Sequence, residues 1–394
     1  MGKVSSLLKE KIPTISIKKT EKNGNIESQT KIIYSPEYDE KIYNYNTFCV
    51  FKSIDEIFYL VHIKKETHIV FYNLFDERNV IEIFTGDYNI IEIKYLFDEN
   101  NKRDLLFSFS EYFTLKLWNV NNCECLLNIK NIFKDILYEC NHLGILKLND
   151  KSYSIIVSNK YEDLKIYDLN GNKLNDNYRN NLNIENENSK KFIFIDTYYD
   201  KISGQSYIFF INDDFKSKLF SVVYQKNILY QTYGFLNYRN RQILINDDNE
   251  KIIKILFLMN PDSIGIFNFH SGALLYKINF KITPFPNNVF NDQYHYDSIY
   301  SLNCWNSDYI VISYGKVVEA DVHYGQYGSR DPYDKKFHSI EVVNLKERKI
   351  MQILKLTNID KSIFTKKIFH PKYGDCLLTQ DNSGEIKIIQ IKLV

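Results

Sequence analysis

The chain has 394 residues, enough for two or three ordinary domains or for one large repeat architecture. Apolar residues make up 44%, which supports a sizeable core. Fifty basic against forty-nine acidic residues leave a net charge of +1, which argues against a global nucleic-acid binder.

The N-terminus opens with "MGKVSS", which fits the myristoylation pattern, with Gly2 as the acyl acceptor and Ser6 at the required place. Lys3, Lys9, Lys11, Lys18, Lys19 and Lys22 follow, against Glu10 and Glu21. A single acyl chain binds membranes only marginally, with K of about 10⁴ M⁻¹, so a basic segment is the natural second signal. The segment lacks the apolar h-region of a secretory signal, and no apolar run reaches the ~18 residues of a membrane span. A cytoplasmic location is expected. Residues 1–27 are read as a basic extension preceding a single domain over 28–394.

From residue 28 onward the chain reads as β-structure. "QTKIIYS" (29–35) and "NTFCVFKS" (46–53) are short alternating runs, and a six-residue pattern then begins to recur. Its form is apolar, any, apolar, bulky, polar, apolar: "IVFYNL", "LKLWNV", "LKIYDL", "SKLFSV", "IGIFNF", "IEVVNL" and "IKIIQI". The bulky place falls at Tyr72, Trp118, Tyr167, Phe220, Phe267, Val343 and Ile389, at intervals of 46, 49, 53, 47, 76 and 46. Each copy follows an apolar run such as "DLLFSFS" and precedes a turn and another short run such as "CECLLNI". Period-2 alternation with turns every ten or so residues calls for antiparallel sheet, about four strands per period. One such sheet buries too little alone, whereas several set radially bury both faces of each.

"SFSEYFTLKLWN" keeps Ser108, Ser110, Thr114 and Trp118 of the hairpin and third strand of the WD-repeat family, which the chain resembles. Tyr112 stands where that hairpin has its Asp, "FINDDFKSKLFS" keeps Asp214 there, and the family's Gly-His dipeptide is absent. The resemblance implies an all-β fold: a seven-bladed β-propeller of four-stranded antiparallel blades, closed by an N-terminal strand. The last copy runs into Val394 without an outer strand. "QTKIIYS" is expected to supply it, with "TISIKK" (14–19) as the alternative.

The 76-residue interval holds two extra stretches, 280–298 between the fifth and sixth sheets and 315–338 between strands two and three of the sixth. In the topology implied by the resemblance, both emerge on one face. The first carries Phe285, Phe290, Tyr294, His295 and Tyr296, the second His323, Tyr324, Tyr327, Arg330 and Tyr333. Tyr and Arg are enriched at interaction hot spots, so these ten are the predicted partner-binding residues.

The six cysteines are scattered, without ligand spacing, and are expected to be reduced and mostly buried, with Cys123 and Cys125 on one strand. No phosphate loop, HExxH or nucleophile elbow occurs, and the eight histidines show no ligand spacing. Adjacent acids, Asp213 with Asp214 and Asp247 with Asp248, read as solvated turn pairs. The expectation is a non-enzymatic scaffold without cofactor or metal, docking a protein partner. The alternative is a peripheral membrane propeller attached through Gly2 and the basic segment.

Overall fold

In the computed structural model of the chain, the structure describes residues 14–16, 18–19, 30–34, 48–133, 142–147, 152–158, 165–174, 192–200, 205–212, 217–221, 226–229, 237–244, 254–260, 263–279, 295–306, 308–318, 335–345, 349–356, 363–381 and 385–391. Every element among them is a β-strand, and the strands form seven sheets.

Three short strands come first: β1 (Thr14–Ser16), β2 (Lys18–Lys19) and β3 (Thr30–Tyr34). The first sheet is β4 (Phe48–Lys52), β5 (Phe58–Lys64), β6 (His68–Asn73) and β7 (Arg78–Phe84). The second is β8 (Ile90–Asp98), β9 (Arg103–Ser110), β10 (Leu115–Asn119) and β11 (Cys125–Ile129). The third has three described strands, β12 (His142–Lys147), β13 (Tyr153–Ser158) and β14 (Lys165–Asp168). The fourth is β15 (Phe192–Asp200), β16 (Gln205–Asn212), β17 (Ser217–Ser221) and β18 (Lys226–Leu229). The fifth is β19 (Asn237–Leu244), β20 (Lys254–Asn260), β21 (Ser263–Asn268) and β22 (Leu274–Asn279). The sixth is β23 (His295–Cys304), β24 (Tyr309–Val318), β25 (Lys335–Asn344) and β26 (Lys349–Leu356). The seventh is β27 (Ile363–His370), β28 (Gly374–Asp381) and β29 (Ile386–Gln390). In each sheet consecutive strands pair antiparallel.

The chain divides into two compact units. One comprises 25–229 and 361–394 and holds the seventh, first, second, third and fourth sheets. Neighbouring sheets in it share apolar layers. Phe48, Leu60 and Tyr72 of the first meet Ile368, Leu378 and Ile388 of the seventh. Phe51, Val61 and Phe71 on its other face meet Ile93, Leu106 and Trp118 of the second. Phe107, Phe109 and Leu117 face Leu143, Ile155 and Tyr167 of the third. The fourth strand of the seventh sheet is β3, antiparallel to β29, with Tyr34 opposite Ile386 and Thr30 opposite Ile389. This is the position expected for "QTKIIYS".

The other unit comprises 1–24 and 230–360 and holds the fifth and sixth sheets around Leu256, Ile266, Leu302, Ile312 and Val343. Each gains a fifth strand. β1 lies parallel to β22, with Thr14 opposite Lys277, and β2 lies parallel to β26, with Lys18 opposite Lys349. "TISIKK" therefore adds short edges to two adjacent sheets and not to the seventh.

The recurring motif falls on the third strand of all seven sheets, β6, β10, β14, β17, β21, β25 and β29. Tyr72, Trp118, Tyr167, Phe267, Val343 and Ile389 are buried. A bulge sits beside four of these residues. Tyr72 faces Asn79 while Phe71 faces Ile81, and the same one-residue skip occurs at Trp118, Phe267 and Val343. An extra residue on the partner strand bends the pair and increases its twist. The polar residue that follows caps the next turn. Asn73 Oδ1 accepts the N–H groups of Phe75 at 2.8 Å and Asp76 at 3.1 Å. Asp168 accepts those of Asn170 and Asn172, and Asn268 those of His270 and Ser271. Each turn then needs one left-handed residue: Glu77 (φ 58°), Cys123 (φ 60°), Gly171 (φ 83°) and Gly272 (φ 69°). Cys123 is thus a turn residue, and only Cys125 lies on a strand.

Trp118 is 5% exposed, and its indole N–H donates to Ser108 Oγ at 2.9 Å. Trp118→Ala should cost about 3–5 kcal/mol in chemical unfolding, from lost burial and the cavity left behind. Ser108→Ala leaves the indole donor without its acceptor and should cost about 1–3 kcal/mol. A loss within the surface range of about 0.5 kcal/mol for Trp118→Ala would contradict this packing.

Candidate interaction surfaces

The two inserted stretches belong to the sixth sheet. β22 ends at Asn279 and β23 begins at His295, so the connection between the fifth and sixth sheets is 280–294. β24 continues to Val318 and β25 starts at Lys335, so the insertion proper is 319–334. Both are shorter than the sequence suggested, because residues 295–298, 315–318 and 335–338 extend the ladder, giving three paired strands of ten residues each. Val317 and Val318 are β-branched and suit that extension.

The register brings the insertions together. His295 lies opposite Val318, and Val318 lies opposite Lys335. The chain leading into β23, leaving β24 and entering β25 therefore passes through one end of one sheet. Of the ten predicted partner-binding residues, His295 and Tyr296 are placed on β23, paired with Val318 and Val317. Phe285, Phe290, Tyr294, His323, Tyr324, Tyr327, Arg330 and Tyr333 lie outside the described residues, as do Gly2 and the acidic pairs at 213–214 and 247–248.

Two of the described histidines and two of the cysteines are built into the packing of the sheets. His62 on β5 is buried, its Nδ1 lying 3.3 Å from the Ile63 carbonyl, and burial pulls its pKa down to about 4. His370 ends β27, accepts the Lys372 N–H at 3.1 Å and stacks on Tyr373 with ring centroids 4.4 Å apart. Burial pushes the Cys49 thiol up to about 12 and that of Cys376 to about 11. A thiol held that high is not a nucleophile at neutral pH. Among the described residues no group of three or more His, Cys, Asp or Glu could hold a metal ion.

Two buried carboxylates brace neighbouring sheets. Asp104 accepts the Ile54 N–H at 2.8 Å and the Tyr95 hydroxyl at 2.7 Å, while the Tyr95 ring stacks on Phe51 at 3.8 Å. Glu92 Oε2 accepts the Leu143 N–H at 2.8 Å, and Lys94 donates to the Leu143 carbonyl.

A second surface lies on the first and second sheets. Tyr88, in the connection from β7 to β8, and Tyr112, in the turn from β9 to β10, are 58% and 46% exposed. Sequence reasoning passed over Tyr88. Its one signal for this place was Tyr112, a bulky aromatic where the resembled hairpin has a small acid.

No family model matches the chain, and no curated protein matches it. Among solved structures it is similar to the β-propeller domain of Cps50 (Swd1) from Myceliophteria thermophila. The TM-score is 0.54 at 11% identity, over 90% of this chain and 99% of that one. The fold is that of a β-propeller. At that identity the likeness carries the architecture alone, with all-β, antiparallel sheets as its units.

The buried histidine sets a pH dependence for this propeller. His62 titrates near 6.5 when unfolded and at about 4 when folded, so the unfolded chain binds the extra proton between those values. Its contribution is fully present above pH 6.5 and is lost as pH falls toward 4, by up to about 1.4 kcal/mol per pH unit. Urea unfolding across that range should show the slope, and His62→Gln should flatten it. An unchanged slope in the variant would refute the assignment.

Proposed function

We propose that the chain is a seven-bladed scaffold of WD-repeat type, closed through β3, that binds a protein partner and catalyses no reaction. The docking surface is the end of the sixth sheet from which 280–294 and 319–334 depart. The observation that carries this reading is the register of β23, β24 and β25, which gathers both insertions at one sheet end. Supporting it is their composition, which includes Tyr, Phe, His and Arg. Seven sheets with a repeated third strand support the blade count, and β3 on β29 supports the closure. The propeller likeness supports a binding role only at the level of architecture. A cytoplasmic setting is part of this proposal; of the described cysteines, all free, only Cys49 and Cys376 are buried, with Cys123 and Cys304 partly buried and Cys125 exposed, fewer than the sequence led one to expect.

The test is affinity purification of the full chain from its native cell beside two variants, deletion of 319–334 and the triple change Tyr324→Ala, Tyr327→Ala, Arg330→Ala. The partner captured by the wild-type chain should be lost from both, with melting temperature nearly unchanged. Retention of the partner by both variants would overturn the reading. Equal loss of melting temperature and capture would instead assign these aromatics to packing of the fold.

A further inference from the structure

The turns at one end of the first and second sheets carry exposed aromatic rings on an immobilised frame. Tyr88 and Tyr112 stand with ring centroids 6.2 Å apart and planes 51° open to one another. The Glu66 carboxylate beside the Tyr88 hydroxyl, by hydrogen bonding and by its charge, raises the hydroxyl's pKa above the ordinary tyrosine value. Glu111, on the other side, accepts the Asn89 side-chain N–H at 2.5 Å. Loops this exposed usually move, but here main-chain bonds knit three of them together. The Ile90 N–H reaches the Glu66 carbonyl at 3.0 Å, and the Glu111 N–H reaches the Asn89 carbonyl at 2.9 Å. Beneath them the ammonium of buried Lys116 donates to the Thr85 carbonyl and pairs with Asp87 at 3.0 Å. That buried pair ties the β7–β8 connection to β10 and neutralises its own charge.

Two large rings kept in water on a fixed frame gain nothing for the fold by being exposed. Rigid Tyr side chains present contact area at little entropic cost on binding. The faces of their rings are electron-rich, and a cation over such a face is attracted by the ring quadrupole. Two carboxylates flank the pair, at Glu66 and Glu111. Acidic segments and phosphates are repelled by that arrangement, and a planar guanidinium meets both the stacking and the ion-pairing geometry.

We propose that Tyr88 and Tyr112, with Glu66 and Glu111, form a docking point for an arginine side chain of an extended basic segment on a partner protein. This surface lies on a different sheet pair from the insertions of the sixth sheet, and its chemistry is independent of theirs. Exposed Lys65, beside Glu66, is the group that opposes the field.

The probes are three labelled peptides of equal length, alternating serine with arginine, with citrulline or with glutamate, titrated against the full chain. The arginine peptide should bind, weakening as salt screens the carboxylates, while the citrulline and glutamate peptides bind at least tenfold less tightly. Tyr88→Ala and Tyr112→Ala should each weaken the arginine peptide about tenfold without moving the melting temperature. Glu66→Gln with Glu111→Gln should flatten the salt dependence, and Lys65→Glu should tighten binding. Deletion of 319–334 should leave the affinity unchanged. Equal binding of arginine and citrulline peptides, or an affinity indifferent to both tyrosine variants, overturns the proposal. Loss on deletion of 319–334 with the tyrosine variants still binding would move the basic segment to the sixth sheet.

Discussion

Every open sheet has two edges with unpaired N–H and C=O groups, and most of this structure can be understood as the treatment of those edges. Four-stranded sheets stacked face to face bury their faces well, but leave an innermost and an outermost strand in each. On β12 the inner edge is satisfied by side chains from both flanking sheets. Glu92 and Lys94 bind the N–H and carbonyl of Leu143, and Thr197 Oγ1 accepts the Ile145 N–H and donates to its carbonyl. A strand pairing at that edge would fuse neighbouring sheets. Side-chain bonds satisfy the same groups and let each sheet keep its own twist. Outer edges are treated by adding chain: β3 on the seventh sheet, β1 on the fifth and β2 on the sixth. Where no strand is added, as at β7, charged Arg78 and Glu82 sit on the open edge.

The third strand is the element that repeats, and its three parts do separate things. A bulky side chain is driven into the layer between sheets, a bulge beside it turns the strand pair, and the next polar residue holds the turn. The bulky place tolerates Trp, Tyr, Phe, Val and Ile because burial is non-directional and roughly proportional to area. The capping place is stricter, since its side chain must accept main-chain N–H groups two and three residues on, which Asn and Asp do best. Trp118 adds a directional bond to Ser108 that the aliphatic copies at Val343 and Ile389 cannot make.

The fold was legible wherever a residue type is tied to one physical role. Period-2 runs located the strands, and the bulky-polar step located every third strand. Spacing identified the long interval between Phe267 and Val343. Less visible was what depends on partners far along the chain. Strands of two or three residues such as β1 and β2 have no period to detect, and their parallel pairing leaves no local mark. The ends of β24 and β25 ran past the boundaries assigned to them, because residues after Gly315 were read as loop when cross-strand pairing carries them on. Cys123 was misplaced because a left-handed turn position is normally marked by Gly or Asn. The Tyr88 and Tyr112 pair was invisible for a related reason: their meeting is made by adjacent turns, not by spacing in sequence. Of the ten predicted partner-binding residues, His295 and Tyr296 alone lie among the described residues.

The placement of β1, β2 and β3 has a bearing on how the protein is made. Residues 14–34 leave the ribosome well before their partners β22, β26 and β29, which lie hundreds of residues later. Domains emerge N-terminal first at about 5–20 residues per second. The early segment must therefore wait for tens of seconds with its main chain unpaired while the intervening sheets assemble. Such a segment is a hazard if it is apolar and flat. Lysine at 9, 11, 18, 19, 22 and 31 spaces the apolar residues of this one. Charge of that kind keeps a waiting strand in solution and away from its own copies on neighbouring ribosomes. Of these, Lys18 and Lys19 go on to form β2 and Lys31 lies in β3, so part of one composition serves both the nascent chain and the added edge strands.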